Sequence, residues 1–431
     1  MSSFRGGIHP PENKGKTEKS ALKTAARPVK VILPLQQNLG CPNEPLVKVG
    51  DEVKEGQKIA DAQKFISAPL HAPISGKVTR IEQLDNACGF DVASIVIEGG
   101  AGETAYAGQW SVEELTPEQI RKSVREAGIV GLGGATFPTH VKLTPPAGKK
   151  IDTVIINGCE CEPYITVDHR LMLERPAEII YGARAIAKAV GAGRIVIAIE
   201  SNKPDAVKKL NGQGVAVAVL RTRYPQGGEK MLIRALTGRE VPSGGLPSDV
   251  GVVVQNVGTA IAIAEAVRLG KPLIERAVTV TGSGIKQPQN LIVRIGTTFK
   301  EVIEQCGGLT DDAAKVIMGG PMTGIAVSTL DVPVVKATSC ILALSKNDAQ
   351  NYEEGDCIRC GRCLKVCPIG LMPNYLGDYA KLKEWDKMAE YHVADCIECG
   401  CCSYVCPSKI YLVQYFKVAK RELQTRKAVC K

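Results

Sequence analysis

The sequence predicts a multidomain chain of α/β plus β class. It reads as a small all-β module, an α/β domain on a parallel sheet, a compact α+β module and a helical, cysteine-rich end. Three observations predict this. Residues 31–100 break into short apolar runs separated by turns, and residues 153–270 alternate strand-like runs with helical periods. Ten of the 16 cysteines fall in the last 75 residues. The length of 431 residues has room for several domains of ~100–200 residues. A hydrophobic content of 44% and a charged content of 23% exclude wholesale disorder.

Residues 1–30 hold seven basic and two acidic residues with scattered Pro and Gly, and read as an extended basic arm. Residues 31–105 carry the runs Val31–Leu33, Leu46–Asp51, Gly56–Ile59, Ala72–Val78 and Ala93–Ile97, spaced as in a small β-sandwich or barrel. Residues 106–272 form the α/β domain. It opens with an amphipathic helix over 111–127, with Ser111 as N-cap and Glu114 completing a capping box, although Pro117 falls early in that span. A glycine loop follows at 131–134. Thr153–Asn157 is a buried strand, and the helix over 176–190 stops at Gly191. Strands over 194–199 and 215–220 flank a helix near 204–211. The helix over 229–237 ends at Gly238, and that over 256–269 is closed by Gly270 and Pro272. Such alternation predicts a largely parallel sheet. Residues 273–345 return to β with one short helix at 298–306. Residues 346–431 are polar and cysteine-rich, helical around 373–392 and 408–427.

The net charge of +9 sits at the two ends; residues 408–431 hold seven basic residues and one acidic. A nucleic-acid binder spreads its charge along a face, so nucleic acid is not expected as a partner. Basic ends suit an acidic partner, an anionic membrane surface, or simple solubility. No uncharged apolar run reaches 18 residues, so a spanning helix is not expected. The start lacks the apolar stretch of a signal peptide, which predicts a cytoplasmic chain in which disulfides are rare. Clustered cysteines then point to metal.

The strongest signal is Cys357-Ile-Arg-Cys360-Gly-Arg-Cys363-Leu-Lys-Val-Cys367-Pro368. It recurs as Cys396-Ile-Glu-Cys399-Gly-Cys401-Cys402-Ser-Tyr-Val-Cys406-Pro407. Both runs obey C-x2-C-x2-C-x3-C-P. Three closely spaced thiolates wrap one cubane, and the fourth, before proline, ligates the other cluster. The spacing assigns Cys357, Cys360, Cys363 and Cys406 to one [4Fe–4S] cluster, and Cys396, Cys399, Cys402 and Cys367 to a second. Structural zinc favours two cysteine pairs across a longer gap, which neither run offers. Cys401 is an extra cysteine read as a non-ligand.

The run Gly131-Leu-Gly133-Gly134-Ala-Thr-Phe137-Pro-Thr-His-Val-Lys142 is no dinucleotide fingerprint, because it follows a helix and has Thr136 in place of the last glycine. A tight structural turn explains it equally well. Its glycines let backbone N–H groups approach phosphate or a flat ring, and Lys142 adds charge. After the Thr153–Asn157 strand come Gly158-Cys-Glu160-Cys-Glu162-Pro163. Acidic residues at the carboxyl end of a strand face the crevice where α/β sheets bind ligands. Glu160 and Glu162 are therefore candidate acceptors for ribose or nicotinamide groups, against the plainer reading of a solvated loop.

Together these stretches resemble the flavin-binding motifs of the NADH-oxidising subunit of respiratory complex I. Tyr224-Pro-Gln-Gly227-Gly228-Glu229 resembles its Y-x-x-G-E-E segment, and Gln255-Asn256-Val-Gly-Thr259 its N-N-V-E-T segment. With Phe4-Arg-Gly-Gly-Ile-His-Pro-Pro and the paired cysteine runs, the whole chain resembles the RnfC family of Rnf ion-translocating ferredoxin:NAD oxidoreductases. The resemblance implies a barrel-sandwich hybrid over 31–105, a Rossmann-like FMN/NADH domain over 106–272, a β-grasp module over 273–345 and a ferredoxin-like domain over 346–431. It implies FMN held by Gly131, Gly133, Gly134, Lys142, Asn157, Tyr224, Gly227, Gln255, Asn256 and Thr259. Phe137, Glu160, Glu162 and Glu229 would position NADH. Gly228, Gln255 and Cys159 depart from the complex I pattern, each at a single contact.

The resemblance further implies an oxidoreductase subunit exchanging electrons among NAD(H), FMN, two [4Fe–4S] clusters and partner subunits. Those partners include an iron–sulfur subunit, with ferredoxin reached indirectly, at the cytoplasmic face of the membrane. A flavin belongs between hydride and one-electron centres because it handles both. The rival readings are a soluble flavin/iron–sulfur cobalamin reductase, a cluster relay without nucleotide, and a zinc scaffold. Residues 47–78 also resemble biotinyl and lipoyl carrier domains. Their hairpin reads Asp61-Ala-Gln-Lys64-Phe-Ile-Ser, without the usual modified-lysine context, so a docking or covering role is expected and no swinging arm.

Overall fold

A computed structural model describes residues 3–108 and 111–429, with side chains described to residue 426. The N-terminal arm is not free. It contributes strand β1 (Leu22–Thr24), and Phe4, Ile8, Lys14 and Thr17 are buried against the rest of the chain. Part of the arm's charge is engaged with the rest of the molecule: Lys14 is buried, exposed Lys16 donates to the Gly282 carbonyl at 3.1 Å, and exposed Arg27 pairs with buried Glu55.

The hybrid module follows as β2 (Lys30–Pro34), β3 (Glu44–Pro45), β4 (Glu52–Val53), β5 (Lys58–Asp61), β6 (Leu70–His71), β7 (Ser75–Asp85) and β8 (Asp91–Gly100). They form two sheets, β2-β8-β7-β4 and β3-β5-β6. Val31, Leu33, Ile95 and Ile97 alternate inward along β2 and β8. Their core continues without a break into the α/β domain, so these two modules share one apolar interior.

The α/β domain comprises α1 (Pro117–Glu126), α2 (Thr139–Lys142), β9 (Thr153–Gly158), α3 (Val167–Glu174), α4 (Pro176–Val190), β10 (Arg194–Glu200), α5 (Pro204–Leu210), β11 (Ala216–Leu220), α6 (Glu229–Thr237), β12 (Val252–Asn256) and α7 (Val257–Leu269). The first helix begins later than the Ser111 capping box implies. Thr116 is the N-cap, its hydroxyl accepting from Gln119 N at 3.3 Å while Gln119 Oε1 accepts from Thr116 N at 2.7 Å. Pro117 therefore starts the helix at N1, where its missing N–H costs nothing. Ser111 and Glu114 form a turn before it. Helix α7 is apolar nearly all round, as a helix buried between others must be. It packs on α4 so closely that a Cβ at Gly182 would fall 1.9 Å from the Ala260 carbonyl oxygen, which requires glycine there.

The third module has β13 (Glu275–Thr281), β14 (Gln289–Arg294), α8 (Phe299–Glu304), β15 (Ala313–Met318), β16 (Ile325–Ala326) and β17 (Cys340–Ser345). Its mixed sheet runs β1-β14-β13-β17-β15-β16, with the arm as an edge strand and Phe299, Val302 and Ile303 of α8 in its core. The last module is helical: α9 (Arg362–Val366), α10 (Pro373–Lys381), α11 (Trp385–Glu390), α12 (Cys401–Tyr404) and α13 (Leu412–Val429). The helical stretch around 373–392 consists of two helices, with a break after Lys381, and the final helix starts at Leu412. Leu412, Val413, Phe416 and Ala419 are buried, so the C-terminal segment belongs to this module's core. Among the described residues, no helix is long and apolar enough to cross a membrane.

Candidate nucleotide and cluster sites

The α/β sheet has the order β11-β10-β9-β12, all parallel. The chain leaves β9 to one side for β10 and returns on the other side as β12. The carboxyl ends of β9 and β12 are thus the switch point at which such sheets bind ligands. Asn157 and Asn256 are register partners there.

The glycine loop lies over this point. Gly131 N donates to the Phe137 carbonyl at 2.9 Å, and Leu132 N to Thr259 Oγ1 at 3.0 Å. Asn256 Oδ1 accepts from Gly258 N at 2.8 Å and caps α7, while its amide donates to Asp168 at 2.6 Å. A Cβ at Gly133 would stand 2.8 Å from that amide, whereas Gly134 faces open space. Phe137 is half-buried at the end of the loop. Across the crevice, Lys142 pairs with Glu229 at the start of α6 and donates to the Val254 carbonyl at 2.8 Å. The Asn157 amide donates to the Gly227 carbonyl at 2.8 Å. Gln255 is 2% exposed, and its Nε2 is buried without a partner. The structure therefore gathers the glycines, Lys142, Asn157, Gly227, Gln255, Asn256 and Thr259 at one place.

The two acidic residues after β9 are engaged within the protein. Glu160, held at φ +47°, turns its carboxylate inward onto the start of α3, accepting from Asp168 N at 2.6 Å and His169 N at 3.4 Å. Burial pushes its carboxyl up to about 7, with Lys14 pulling the other way. Lys14 of the arm donates to the Glu160 and Ile165 carbonyls at 2.7 and 2.6 Å. Burial lowers its own ammonium, opposed by the Glu160 charge. Glu162 accepts from Met322 N at 2.7 Å and Thr323 N at 3.2 Å, tying the loop to the third module. A solvated acidic loop is thereby excluded, and neither carboxylate stands free in the crevice.

Tyr224 is also placed differently from a plain flavin contact. It is 3% exposed, and its hydroxyl donates to the Cys399 carbonyl at 2.7 Å. Around it pack Ile8 of the arm, Cys401, Cys161 and Met322. The extra cysteine, Cys401, is fully buried in this junction. Gly6 of the arm meets the backbone of Val366 and Cys367, where any Cβ would clash at 2.7 Å.

The cysteines gather as two crossed sets. Cys357, Cys360, Cys363 and Cys406 line one cavity with Pro407, Ile410 and Leu412. Cys402 lies beside Cys396, Cys399 and Cys367. Among the described residues, no three Cys, His, Asp or Glu side chains stand close enough to hold a single metal ion. A four-thiol cavity of this kind suits a polynuclear cluster, and thiolates are the soft donors such a cluster needs. For FMN, the fit rests on the orphaned Gln255 amide, the open backbone at Gly134 and the Lys142 ammonium. These are donors and charge for an acceptor-rich ring and a phosphate.

Sequence reasoning missed Lys14, Asp168 and Arg276. Arg276, buried, donates to the Leu132 carbonyl of the glycine loop at 3.1 Å and to that of Thr338 at 3.2 Å. None sits in a recognisable run; each acts across a long sequence separation.

Four family descriptions match the chain in order. They are the RnfC barrel sandwich hybrid domain over residues 2–101, the Nuo51 FMN-binding domain over 124–265, the SLBB domain over 277–326 and the 4Fe-4S dicluster domain over 351–410. The chain is 49% identical to the C subunit of the proton-translocating ferredoxin:NAD(+) oxidoreductase complex of Clostridium ljungdahlii, over 98% of this chain and 94% of that one. It is 47% identical to the C subunit of the Na(+)-translocating ferredoxin:NAD(+) oxidoreductase complex of Acetobacterium woodii, over 98% and 97%. Among solved structures, it is similar to a chain of an NAD+-reducing [NiFe]-hydrogenase in the H2-reduced state. The TM-score is 0.51 and the identity 19%, over 71% of this chain and 62% of that one, a likeness of fold alone.

Proposed function

Given that the chain belongs to the RnfC family of ion-translocating ferredoxin:NAD(+) oxidoreductase complexes, we propose that it is the NAD(H)-reacting electron-transfer subunit of such a complex. The observation that carries this reading is Tyr224. One side chain joins the loop that borders the nucleotide crevice to the backbone of a cluster cysteine, so the two redox sites abut. The cluster of Cys396, Cys399, Cys402 and Cys367 is then the one next to the nucleotide site. That of Cys357, Cys360, Cys363 and Cys406, with Cys360 exposed, faces outward toward a partner.

FMN, when bound, supplies a centre that exchanges hydride with NAD(H) and single electrons with iron–sulfur clusters. The chain's own residues hold and orient. Gly133 and Gly134 offer backbone N–H groups, Gly131 closes the loop onto the Phe137 carbonyl, and Lys142 brings positive charge whose position Glu229 and the Val254 carbonyl fix. Asn157, Gly227, Gln255, Asn256 and Thr259 line the switch point, and Phe137 borders it. Glu160 acts through α3: by holding the Asp168 and His169 amides it sets Asp168, which holds Asn256. Glu162 fixes the same loop against the third module. Hydride transfer needs stacking geometry more than a proton relay, so buried carboxylates committed to backbone amides suit the task.

The RnfC-type hybrid domain over residues 2–101 separates this reading from a soluble cobalamin reductase. The immediate partners are the other subunits of the complex, among them an iron–sulfur subunit, with ferredoxin reached indirectly. The position is peripheral, at the cytoplasmic face of the membrane. Anaerobic purification tests the reading: about one FMN and eight irons per chain, with visible absorbance bleaching on NADH, is the expected result. Iron without flavin, unchanged after added FMN, would refute it in favour of a bare relay.

A further inference from the structure

The hairpin of the hybrid module has no assigned role. In carrier domains of similar sequence a hairpin like this bears a swinging lysine. Here it is pinned. Arg125 of α1 donates to Asp61 Oδ1 at 2.7 Å, to the Ala62 carbonyl at 2.9 Å and to Ser67 Oγ at 3.3 Å. The Ser67 hydroxyl closes the turn onto the Lys64 carbonyl at 2.6 Å. The tip is directed at the nucleotide domain. His140 of α2 donates from Nε2 to the Phe65 carbonyl at 2.9 Å and packs against the Phe65 ring at 5.3 Å and 88°. Next to it, Leu39 N donates to the carbonyl of Thr136, in the glycine loop, at 3.2 Å.

These contacts leave an unusual surface. Phe65 is 58% exposed, Leu39 55% and Ile66 42%. The chain has only six phenylalanines, and Phe65 is held by an edge contact that leaves ring surface in water. A fixed, exposed aromatic ring flanked by two aliphatic side chains, continuous with the glycine loop, is a platform for a flat apolar ring. The loop's own Phe137 lies three residues before His140 on the same segment. The crevice at the switch point takes the reacting end of a dinucleotide, so the rim at Leu39, Phe65 and Ile66 is placed for its far end.

We propose that the hybrid-module hairpin completes the dinucleotide site, with Phe65, Leu39 and Ile66 receiving the adenine ring of NAD(H). The proposal rests on the nucleotide reading above and extends it. It gives the hybrid module a binding role on the substrate: the hairpin selects dinucleotide over mononucleotide.

The test uses the full chain loaded with flavin and clusters, and ADP-ribose as a redox-inert probe measured by calorimetry. Phe65→Ala is expected to weaken ADP-ribose binding by roughly 5- to 100-fold, the range for losing one stacked base. Phe65→Tyr is expected to keep it. Flavin and iron content should not change, because an exposed side chain carries little of the fold. In turnover, Phe65→Ala should raise KM for NADH and leave oxidation of reduced nicotinamide mononucleotide, which lacks adenine, as in the unaltered chain. Phe90→Ala, on the turn between β7 and β8 of the same module and 57% exposed, is the control and should change nothing. Unaltered ADP-ribose affinity in Phe65→Ala would overturn the subsite alone. Failure of the unaltered chain to bind ADP-ribose would overturn both the subsite and the nucleotide reading. An equal loss with NADH and with the mononucleotide would also overturn the subsite.

Discussion

The crossed arrangement of the cysteines gives the sharpest prediction. Cys406 closes the cavity formed by Cys357, Cys360 and Cys363, although it belongs to the second run. Cys367 lies with Cys402, Cys396 and Cys399, although it belongs to the first. Removing either thiol takes one of four ligands from one cluster, so Cys406→Ala and Cys367→Ala should each lose about four of about eight irons per chain. The count is the same, but the surviving cluster differs. Cys367→Ala keeps the outer cluster and loses the one beside Tyr224; Cys406→Ala does the reverse. The assay is anaerobic mixing with NADH, following cluster reduction by electron paramagnetic resonance. Cys406→Ala should still show NADH-dependent reduction of its remaining cluster. In Cys367→Ala the remaining cluster should stay oxidised on the same timescale while dithionite still reduces it. The opposite pattern, with reduction kept in Cys367→Ala and lost in Cys406→Ala, would refute crossed ligation and restore ligation within each run.

Three further predictions follow. Lys142→Met should weaken FMN retention about ten- to a hundredfold, the worth of a charge-assisted hydrogen bond, read as flavin lost on gel filtration with iron unchanged; full retention would remove Lys142 from the flavin site. Burial, with the Arg125 charge adding to it, pushes the Lys336 ammonium down to about 7 against an ordinary value near 10.5. The unfolded chain then binds more protons between those pH values, so the group's contribution to stability rises with pH across that window, by up to about 1.4 kcal/mol per pH unit. Lys336→Met should lose that slope between pH 7 and 9, and parallel melting curves for the two proteins would contradict it. Thr116→Ala removes the cap of α1 and should lower stability by about 1 kcal/mol, whereas Ser111→Ala should not, as thermal melts of the two variants would tell.

The sequence made local features legible and left contacts between modules dark. Both cysteine runs, the parallel alternation and the strand-end placement of Asn157 follow from spacing and period, which are local, whereas β12, the strand that ends at Asn256, is not anticipated ahead of the helix over 256–269. The start of α1 was missed because Ser111/Glu114 and Thr116/Gln119 both satisfy a capping box, and only Pro117 at N1 separates them. Glu160 and Glu162 follow the carboxyl end of β9, and their carboxylates turn onto protein amides. Nothing in Gly-Cys-Glu-Cys-Glu says that one carboxylate turns under α3 and the other reaches a loop more than 150 residues away. The basic arm misled for the same reason. Lysines in a Pro/Gly-rich stretch read as solvated, yet Lys14 is buried and bonded inside the nucleotide domain.

Buried lysines of this kind bear on how four modules work as one electron-transfer unit. A lysine seated in a low-dielectric interior is costly unless its three donors are met. Lys14 sets two of its donors on carbonyls of another module and stands 3.6 Å from the Glu160 carboxylate, which fixes the arm there. Lys336 does the same across a triple junction, donating to the Pro69 carbonyl of the hybrid module and the Gly128 carbonyl of the α/β domain at 2.7 Å each. Its own backbone N–H donates to Gln37 Oε1 at 3.0 Å. Arg276 and Tyr224 make comparable reaches to the glycine loop and to Cys399. Each such group loses its partners if its module shifts, so each penalises relative motion beyond what apolar contact alone would. Rigid seams suit a relay, because electron transfer depends on short, constant separations between centres. They also separate the seams from the outer cluster, whose exposed Cys360 leaves one edge for a partner. The charge at the C-terminal end divides in the same way. Lys420 is held by Glu398 and Arg426 by Asp386, while Lys417 and Arg421 on the same helix form no ion pair among the described residues. Because that helix also supplies core residues, its role in docking is tested by Lys417→Glu with Arg421→Glu and not by truncation. Membrane association of the assembled complex should weaken at low salt with flavin and iron intact, and unchanged association would remove this helix from the docking surface.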